Sequence, residues 1–440
     1  MKIVRVIARL NVGGPARHVV WLTAGLQGAD CDSLLVAGTV PPGEEDMSYF
    51  ATQHGVEPLF IPEMSREVSF KDALTIWKLY RLFCRESPDI VHTHTAKAGT
   101  VGRVAGLLYR WLRPSTLLGR PRQCLFVHTF HGHVFHSYYG PLKTRLFISI
   151  EKALARLITD RIVVVSEQQR REIQERFGVG RVDQFVVIPL GLDVRSFADW
   201  RNRRQLFRDE LGAKSDELLI GIVGRLTEIK NHDLFLRAVA IVKNRLAEKS
   251  RSESPAEQSA RAGGVRFVVL GDGSLRATLE AQALALGLAG DVIFAGSRRD
   301  PENFYAALDI VALTSLNEGT PLTLIEAMAN ARPVIATAVG GVVDLVGETV
   351  EEHESEGYKV CRRGLSVESN DAAAVAAGLF HLIENSELRT ELGNRGLEFV
   401  ASNYSRERLL DDIKALYKQL LERRAIHVKV HSGNSLESGI

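Results

Sequence analysis

The sequence predicts an α/β fold of two doubly wound, parallel-sheet domains in tandem. Short apolar runs rich in Val and Ile alternate with longer amphipathic stretches along the 440 residues. Continuous apolar strands separated by helical patterns are typical of parallel strands that are buried on both faces. A polar stretch at 192–216 separates seven such runs from five more, which indicates two similar domains.

The elements follow in order along the chain. Strands are predicted at residues 3–8, 33–38, 58–62, 89–94, 124–132, 161–166, 185–191, 218–224, 265–271, 291–296, 309–315 and 333–337. We therefore place one domain at 1–191 and a second at 192–406. A helix at 407–426 is long enough to pack back on the first domain. The polar stretches 248–264 and 427–440 are predicted to be a disordered insertion and a flexible tail.

Composition excludes several classes of protein. The formal net charge is only +2 and no nucleic-acid-binding motif is present, so a nucleic-acid partner is not expected. The sequence has no signal peptide and no apolar run of about 18 residues, which disfavours secretion and membrane spanning. Its four cysteines are scattered without metal spacing, as in a reducing compartment. We expect a cytoplasmic protein.

Polar residues follow several strands of the first domain. Gly13 and Gly14 turn the chain into a helix with Pro15 at its first position, where a ligand site and a tight turn are equally plausible. His94 ends the fourth strand. Lys97 opens the next helix, where it could contact an anion or a substrate. His131 ends the fifth strand, where open α/β sheets bind ligands. It could position a hydroxyl or stabilise developing charge. His128, inside the strand, is predicted to belong to the core. No carboxylate or cysteine completes a metal site around these histidines.

Two cations mark the first loop of the second domain. Arg225 and Lys230 follow the strand LLIGIVG and precede a helix. An Arg fork and a Lys point charge beside a helix N-terminus suit a diphosphate. The alternative is a pair of solvated surface cations, and the position at a strand end favours the site.

Two glutamates bracket a helix start in the stretch NEGTPLTLIE (317–326). Thr320 is predicted as the N-cap, with Pro321 at the first helical position. The N–H groups of this first turn would face a phosphate, Glu326 would reach a ribose diol, and Glu318 a second polyol. Alternatively, Thr323 and Glu326 could form a capping box, which would leave Glu326 bonded only to the backbone.

With these motifs the sequence resembles glycosyltransferase family 4, retaining enzymes of the GT-B fold of the polysaccharide- and glycolipid-synthesis type. The resemblance covers nearly the whole chain. It includes the glycine pair, HTHTAKAG (92–99), the His-Gly pair at 131–132, the GDG at 271–273 and above all Glu318-x7-Glu326, followed by PVIAT and a second glycine pair. It implies two Rossmann-like domains, with the active site in the cleft between them.

The resemblance also implies roles for particular residues. His131, Glu318, Arg225 and Lys230 would be catalytic. The nucleotide-sugar donor would be bound by Gly13, Gly14, Arg225, Lys230, Glu318, Gly319, Thr320, Pro321, Leu322 and Glu326, and the acceptor by His94 and Lys97. The cations and the helix dipole would stabilise the leaving diphosphate in place of a metal, so neither a metal nor any other cofactor is expected.

The implied reaction is transfer of a sugar from a UDP- or GDP-sugar to a glycan or lipid-linked acceptor. The basic stretches 97–122 and 142–157 could rest on the anionic inner face of a membrane as a peripheral contact, or could be ordinary solvated helix faces. Two rival functions are a nucleotide-sugar epimerase on the same scaffold and a non-catalytic subunit that binds nucleotide-sugars. Intact Glu318, Glu326, Arg225, Lys230 and His131 argue against the second.

Overall fold

The computed structural model describes residues 1–11, 13–41, 46–65, 69–112, 116, 122–131, 141–252 and 264–433, with side chains except at 141–143 and 426–433. These residues form two compact units. Unit 1 comprises Met1–Gly191 and the helix that begins at Arg406, and unit 2 comprises Leu192–Ser405. Gly132 of the predicted His-Gly pair, residues 253–263 of the insertion and residues 434–440 of the tail lie outside the described range.

Unit 1 is built on a parallel sheet of seven strands in the order β3-β2-β1-β4-β5-β6-β7. The strands are β1 Lys2–Ile7, β2 Asp32–Ala37, β3 Leu59–Phe60, β4 Ile90–His94, β5 Leu125–Phe130, β6 Arg161–Val164 and β7 Phe185–Val187. Each of the seven predicted runs overlaps one of them, and β1 and β2 begin one residue earlier than predicted. The helices that cover the sheet are α1 Gly14–Leu26, α2 Ser48–Gln53, α3 Lys71–Glu86, α4 Ala96–Trp111, α5 Pro141–Leu157 and α6 Glu167–Arg171.

Unit 2 has an eight-stranded sheet in the order β10-β9-β8-β11-β12-β15-β14-β13. Its strands are β8 Leu218–Val223, β9 Val265–Leu270, β10 Val292–Gly296, β11 Ile310–Leu313, β12 Val334–Thr337, β13 Thr349–His353, β14 Tyr358–Cys361 and β15 Gly364–Val367. Its helices are α7 Trp200–Glu210, α8 His232–Ser252, α9 Arg276–Ala285, α10 Pro301–Ala307, α11 Leu322–Ala329, α12 Val342–Val346, α13 Ala372–Glu384 and α14 Ser386–Asn403. A hydrophobic core of strand and helix side chains, including Ile220, Phe235 and Phe267, fills unit 2.

The prediction of five strands in the second domain was wrong, because β13, β14 and β15 were missed. β13 reads TVEEH and is largely exposed at the edge of the sheet, so it carries no apolar run. It pairs antiparallel with β14, and β14 pairs antiparallel with β15. β14 (YKVC) and β15 (GLSV) are largely buried, but each is only four residues long and has polar or small residues that interrupt the apolar run.

The last helix, α15, runs from Arg406 to Gly433. Its Leu409, Ile413 and Tyr417 are buried in the same core cluster as Ile3 and Val127 of unit 1. The prediction that a tail begins at residue 427 was wrong for 427–433, which continue the helix. Among the described residues, no helix has the length and apolar character needed to cross a bilayer.

Candidate functional site

In unit 2, the loops after β8 and β11 bring a lysine and a glutamate together. The Leu316 N–H donates to the Ile229 carbonyl at 2.9 Å, which joins the two loops. Lys230 Nζ lies 2.5 Å from Glu318 Oε1, and the Ser315 hydroxyl donates to the same oxygen at 2.6 Å. Both side chains are mostly buried, at 21% exposure for Lys230 and 10% for Glu318. The structure therefore holds the lysine and the glutamate as a partly desolvated ion pair at the carboxyl edge of the sheet.

The predicted N-cap of α11 was wrong by one residue. Pro321 is the N-cap and Leu322 the first helical residue, without a side-chain capping bond. A proline in the cap position cannot offer a side-chain acceptor, so the first N–H groups of α11 have no partner from a capping side chain. Because Thr323 lies inside the helix rather than at its cap, the capping box with Glu326 does not form. The buried Thr320 hydroxyl has no hydrogen-bond partner among the described atoms.

The loop before α11 is fixed by close backbone approach. The Gly341 N–H donates to the Gly319 carbonyl at 2.7 Å, and a Cβ at Gly341 would collide with that carbonyl oxygen. Glu326 lies in the second turn of α11 and is 8% exposed. The N-terminal turn and both glutamates of the predicted motif therefore sit on one rigid segment.

The GRL and GDG loops of unit 2 interlock. The Leu226 N–H donates to the Asp272 carbonyl at 3.0 Å, and a Cβ at Gly271 would collide with the Gly224 carbonyl oxygen. Arg225 projects from this junction and is exposed. Its guanidinium is therefore available to solvent-borne anions on the same edge as Lys230.

In unit 1, three imidazoles meet at the carboxyl edge of the sheet. His94 Nδ1 lies 3.0 Å from His131 Nε2. The ring of His18, on α1, lies 4.7 Å from the ring of His131 and 5.7 Å from that of His94. Sequence reasoning missed His18, whose sole signal is a histidine in the helix that follows the glycine turn. Gly13 is the N-cap of α1 and Gly14 its first residue, so Pro15 lies at the second helical position rather than the first.

These three histidines could hold a metal ion, since one ring nitrogen of each lies within 4.8 Å of the others. No metal site was predicted near His94 because that prediction used sequence spacing alone. The three histidines come from distant positions in the sequence, so spacing cannot show that they meet. Neither ring nitrogen of His18 has a hydrogen-bond partner among the described atoms. A neutral imidazole with an unpartnered nitrogen is a ready metal ligand.

Burial keeps the histidines of this edge neutral. Loss of water around the ring lowers the pKa of His131 to about 3, and burial also lowers the pKa of His18 and of His94 well below the usual range. His131 can therefore donate or accept a hydrogen bond at neutral pH but does not supply a positive charge. His128 lies inside β5 as expected, buried, with its Nδ1 2.9 Å from the Thr93 hydroxyl.

We expect unit 1 to lose stability as the pH falls below 6.5. The unfolded histidines protonate near pH 6.5 and the buried ones do not, so the unfolded state binds more protons and the stabilising contribution present above pH 6.5 is lost toward pH 3. Each such histidine steepens the dependence by up to about 1.4 kcal/mol per pH unit. Urea unfolding at pH 7.5, 6.5 and 5.5 measures it, with His18→Phe as the comparison. A flat dependence across this range, or an equal slope in the variant, would contradict the expectation.

The predicted acceptor contacts have partners of their own. Lys97, in the first turn of α4, forms an ion pair with Asp72 of α3. His94 is fully buried. Neither side chain is therefore available at the surface to contact an acceptor.

The basic stretch 97–122 is not a solvated face as a whole, which corrects that expectation. Arg103 is fully buried and its Nη2 lies 2.6 Å from a Glu151 carboxylate oxygen. Arg110 donates to the Cys124 carbonyl at 2.6 Å, and Arg122 to the Tyr109 carbonyl at 3.2 Å. Arg113 and Arg120 lie outside the described residues. Counting charges along the sequence cannot show that partners satisfy them.

Two family models match the chain, one on each unit. Residues 12–196 match the model described as Glycosyltransferase Family 4, and residues 203–399 match the model described as Glycosyl transferases group 1. Together they span most of both units.

Curated relatives extend the comparison over whole chains. An Escherichia coli protein named UDP-Gal:alpha-D-GlcNAc-diphosphoundecaprenol alpha-1,3-galactosyltransferase is 29% identical over 82% of this chain and 84% of its own. A Staphylococcus aureus protein named capsular polysaccharide biosynthesis glycosyltransferase CapM is 25% identical over 84% and 87%. The solved structure of Anabaena Alr3699/HepE in complex with UDP has a TM-score of 0.72 at 19% identity, over 95% of this chain and 100% of that one, which shows a common fold.

Proposed function

The chain belongs to the glycosyltransferases of the GT-B fold that combine a family 4 domain with a group 1 domain, and we propose that it moves a hexose from a UDP-sugar to a lipid-linked glycan with retention of configuration and without a metal. One observation carries the proposal. Lys230, Glu318 and the N-terminal turn of α11 converge at one sheet edge in unit 2. The name of the E. coli relative supports UDP as the nucleotide and a diphosphate-linked lipid as the acceptor.

The donor would be held at both ends. Arg225 and Lys230 would contact the diphosphate together with the first N–H groups of α11, because cations and a helix N-terminus favour anionic oxygens. Glu326 would accept hydrogen bonds from the ribose hydroxyls. Glu318 would bind hydroxyls of the sugar, and its pairing with Lys230 at 2.5 Å orients both groups before the donor arrives.

The reaction would depend on stabilisation of the leaving group. As the bond between the sugar C1 and the β-phosphate oxygen breaks, negative charge grows on that oxygen beside Lys230, Arg225 and the helix dipole. The acceptor hydroxyl would attack C1 from the same face, and its proton would pass to the departing phosphate oxygen. His131, neutral at pH 7, would orient a sugar hydroxyl rather than act as a cation. This scheme needs no covalent intermediate.

A transfer assay tests this function. The protein is incubated with UDP-galactose, UDP-glucose or UDP-N-acetylglucosamine and a diphosphoundecaprenol-linked sugar, with and without a chelator, and the anomer of the product is read by NMR. We expect one α-linked product from one donor, formed equally well with the chelator. A β-linked product would contradict retention, a chelator-sensitive one would point to the three-histidine group, and epimerised donor without transfer would favour the epimerase alternative.

Peripheral contact with an anionic membrane is the second part of the proposal. Phe70, directly before α3, and Leu74 and Trp77, in its first turns, recur at helical spacing and are all exposed. Exposed aromatic and aliphatic side chains on one helix face can enter the headgroup region of a bilayer. The flanking Lys71 is also exposed and can pair with anionic headgroups.

Cosedimentation with phosphatidylglycerol vesicles at physiological salt tests the contact. Trp77→Ser should lower the partition constant for vesicle binding roughly tenfold, because it removes the largest apolar side chain of the face. Leu284→Ser is the control, since Leu284 is a 68% exposed apolar residue of α9 in unit 2, outside both basic stretches. If the wild type is not retained, or if Trp77→Ser is retained like the control, this part of the proposal fails.

A further inference from the structure

Six arginines surround a surface cavity of about 460 Å³ in unit 1. They are Arg110, Arg156, Arg161, Arg181, Arg423 and Arg424. Leu125 and Arg161, the first residues of β5 and β6, also line it, so the cavity lies at the amino edge of the sheet. His94 and His131 lie at the opposite edge, and the donor residues belong to unit 2. We call this feature the arginine cavity.

The arginine cavity carries an excess of positive charge. Its lining includes six arginines and two aspartates, Asp160 and Asp183, so the lining residues have a formal net charge of +4. Asp160 accepts from Arg110 at 3.2 Å and from the Phe126 N–H at 2.7 Å. Asp183 lies 3.1 Å from Arg181. In the described part of unit 1, both lining aspartates are thus already paired.

Helix ends account for some of these arginines and not for others. Arg110 and Arg156 lie in the last turns of α4 and α5, where a cation offsets the negative end of the helix dipole. Arg424 donates to the Gln123 carbonyl at 2.7 Å and lies 3.6 Å from Asp89. Arg161 donates to the Asp160 carbonyl at 2.9 Å, whereas Arg423 has neither a helix-end position nor a hydrogen-bond partner among the described atoms. Burial, and next the positive charge of Arg423, lower the pKa of Arg161.

We propose that the arginine cavity binds a phosphate group, either of a soluble phosphate or diphosphate or of an anionic lipid headgroup. Guanidinium forks match phosphate oxygens in pairs, and several forks around one cavity can grip one multiply charged anion. The volume is in the range of small-ligand sites. A bound anion would relieve the repulsion between Arg161 and Arg423. The proposal does not depend on the donor site, which belongs to the other unit.

Calorimetric titration of the full chain with inorganic diphosphate at low salt tests the proposal. The titrations use a Lys230→Gln background, so that the proposed donor site contributes little. Adding Arg423→Gln or Arg161→Gln should weaken diphosphate binding about tenfold each, since each removes one charge-assisted contact. Arg423 is exposed, so Arg423→Gln is expected to fold normally. It therefore still tests the proposal if Arg161→Gln does not fold. Arg171→Gln is the matched control, because Arg171 is an exposed arginine of unit 1 outside the cavity.

A second arm identifies the source of the phosphate. The same variants are sedimented with phosphatidylglycerol vesicles, and with phosphatidylcholine vesicles as a neutral reference. A loss confined to the diphosphate arm assigns the site to a soluble phosphate, and a loss confined to the phosphatidylglycerol arm assigns it to a lipid headgroup. If Arg161→Gln and Arg423→Gln bind like Arg171→Gln in both arms, the arginine cavity is not a phosphate site.

Discussion

Replacing Lys230 by alanine should lower the kcat of sugar transfer by about 10²–10³-fold, the usual cost of removing one preorganised group that faces developing charge. The Lys230 side chain is 21% exposed and its Nζ lies 2.5 Å from Glu318 Oε1, so the ammonium is held in place before the donor binds. The substitution removes the cation beside the leaving phosphate. It also leaves the Glu318 carboxylate without its cation, and that negative charge repels the phosphate. Initial rates against UDP-sugar concentration separate the effect on kcat from the effect on KM.

Lys243→Ala is the matched control for Lys230→Ala. Lys243 forms the same kind of pair at the same distance, 2.5 Å from Asp291, on the outside of unit 2. Its loss should leave kcat within about twofold of wild type, because Lys243 lies outside the proposed site. The fold should also be preserved, since such a surface pair contributes only about 0–1 kcal/mol to stability. If Lys230→Ala transfers sugar as fast as Lys243→Ala, Lys230 has no part in stabilising the leaving group.

Arg103→Met should destabilise unit 1 by about 3–5 kcal/mol, the typical cost of removing one partner of a buried ion pair. Arg103 is fully buried, and its Nη2 contacts both carboxylate oxygens of Glu151 at 2.6 and 2.7 Å. The variant leaves the Glu151 charge in a site that is 2% exposed. Restoring neutrality with Arg103→Met and Glu151→Leu together should recover most of the loss, because no uncompensated charge remains.

Urea unfolding followed by tryptophan fluorescence measures this effect, since three of the four tryptophans belong to unit 1. Arg170→Met provides the comparison, because Arg170 pairs with Glu167 on an exposed helix, with 24% and 46% exposure. That variant should cost under about 1 kcal/mol. An Arg103→Met variant as stable as Arg170→Met would show that the buried pair is not needed.

The strands that the sequence predicted are those that carry a continuous run of apolar residues, and several of them, such as β1, β4 and β11, are buried almost throughout. Every predicted Val/Ile run coincides with a strand because a buried parallel strand has to be apolar throughout. Among the missed strands, β13 is charged and exposed at the sheet edge, whereas β15 is buried between β12 and β14 but its GLSV sequence is too short and mixed to form an apolar run. Likewise, the start of α11 was misplaced because Thr320 and Pro321 can each occupy the cap, and only the backbone angles decide between them.

At the site, sequence reasoning succeeded where strand ends alone determine position. Lys230 and Glu318 follow β8 and β11, which are neighbours in the sheet, so their pairing follows from topology. His18 could not be found in this way, since its position beside His131 depends on how α1 packs. The stretch 97–122, which contains Arg103, was predicted to face a membrane or solvent, because the partner of Arg103, Glu151, is 48 residues away in the sequence.

Calorimetric titration with UDP most directly tests the central claim, that the α11 segment of unit 2 is a metal-independent nucleotide-sugar site. The titration compares wild type with Glu326→Ala and with Glu280→Ala, an exposed glutamate of α9, each with and without a chelator. We predict saturable binding of one UDP per chain that the chelator does not change. Glu326→Ala should weaken it at least about tenfold, and Glu280→Ala should not. UDP binding that is equal in all three proteins, or that the chelator abolishes, would contradict the claim.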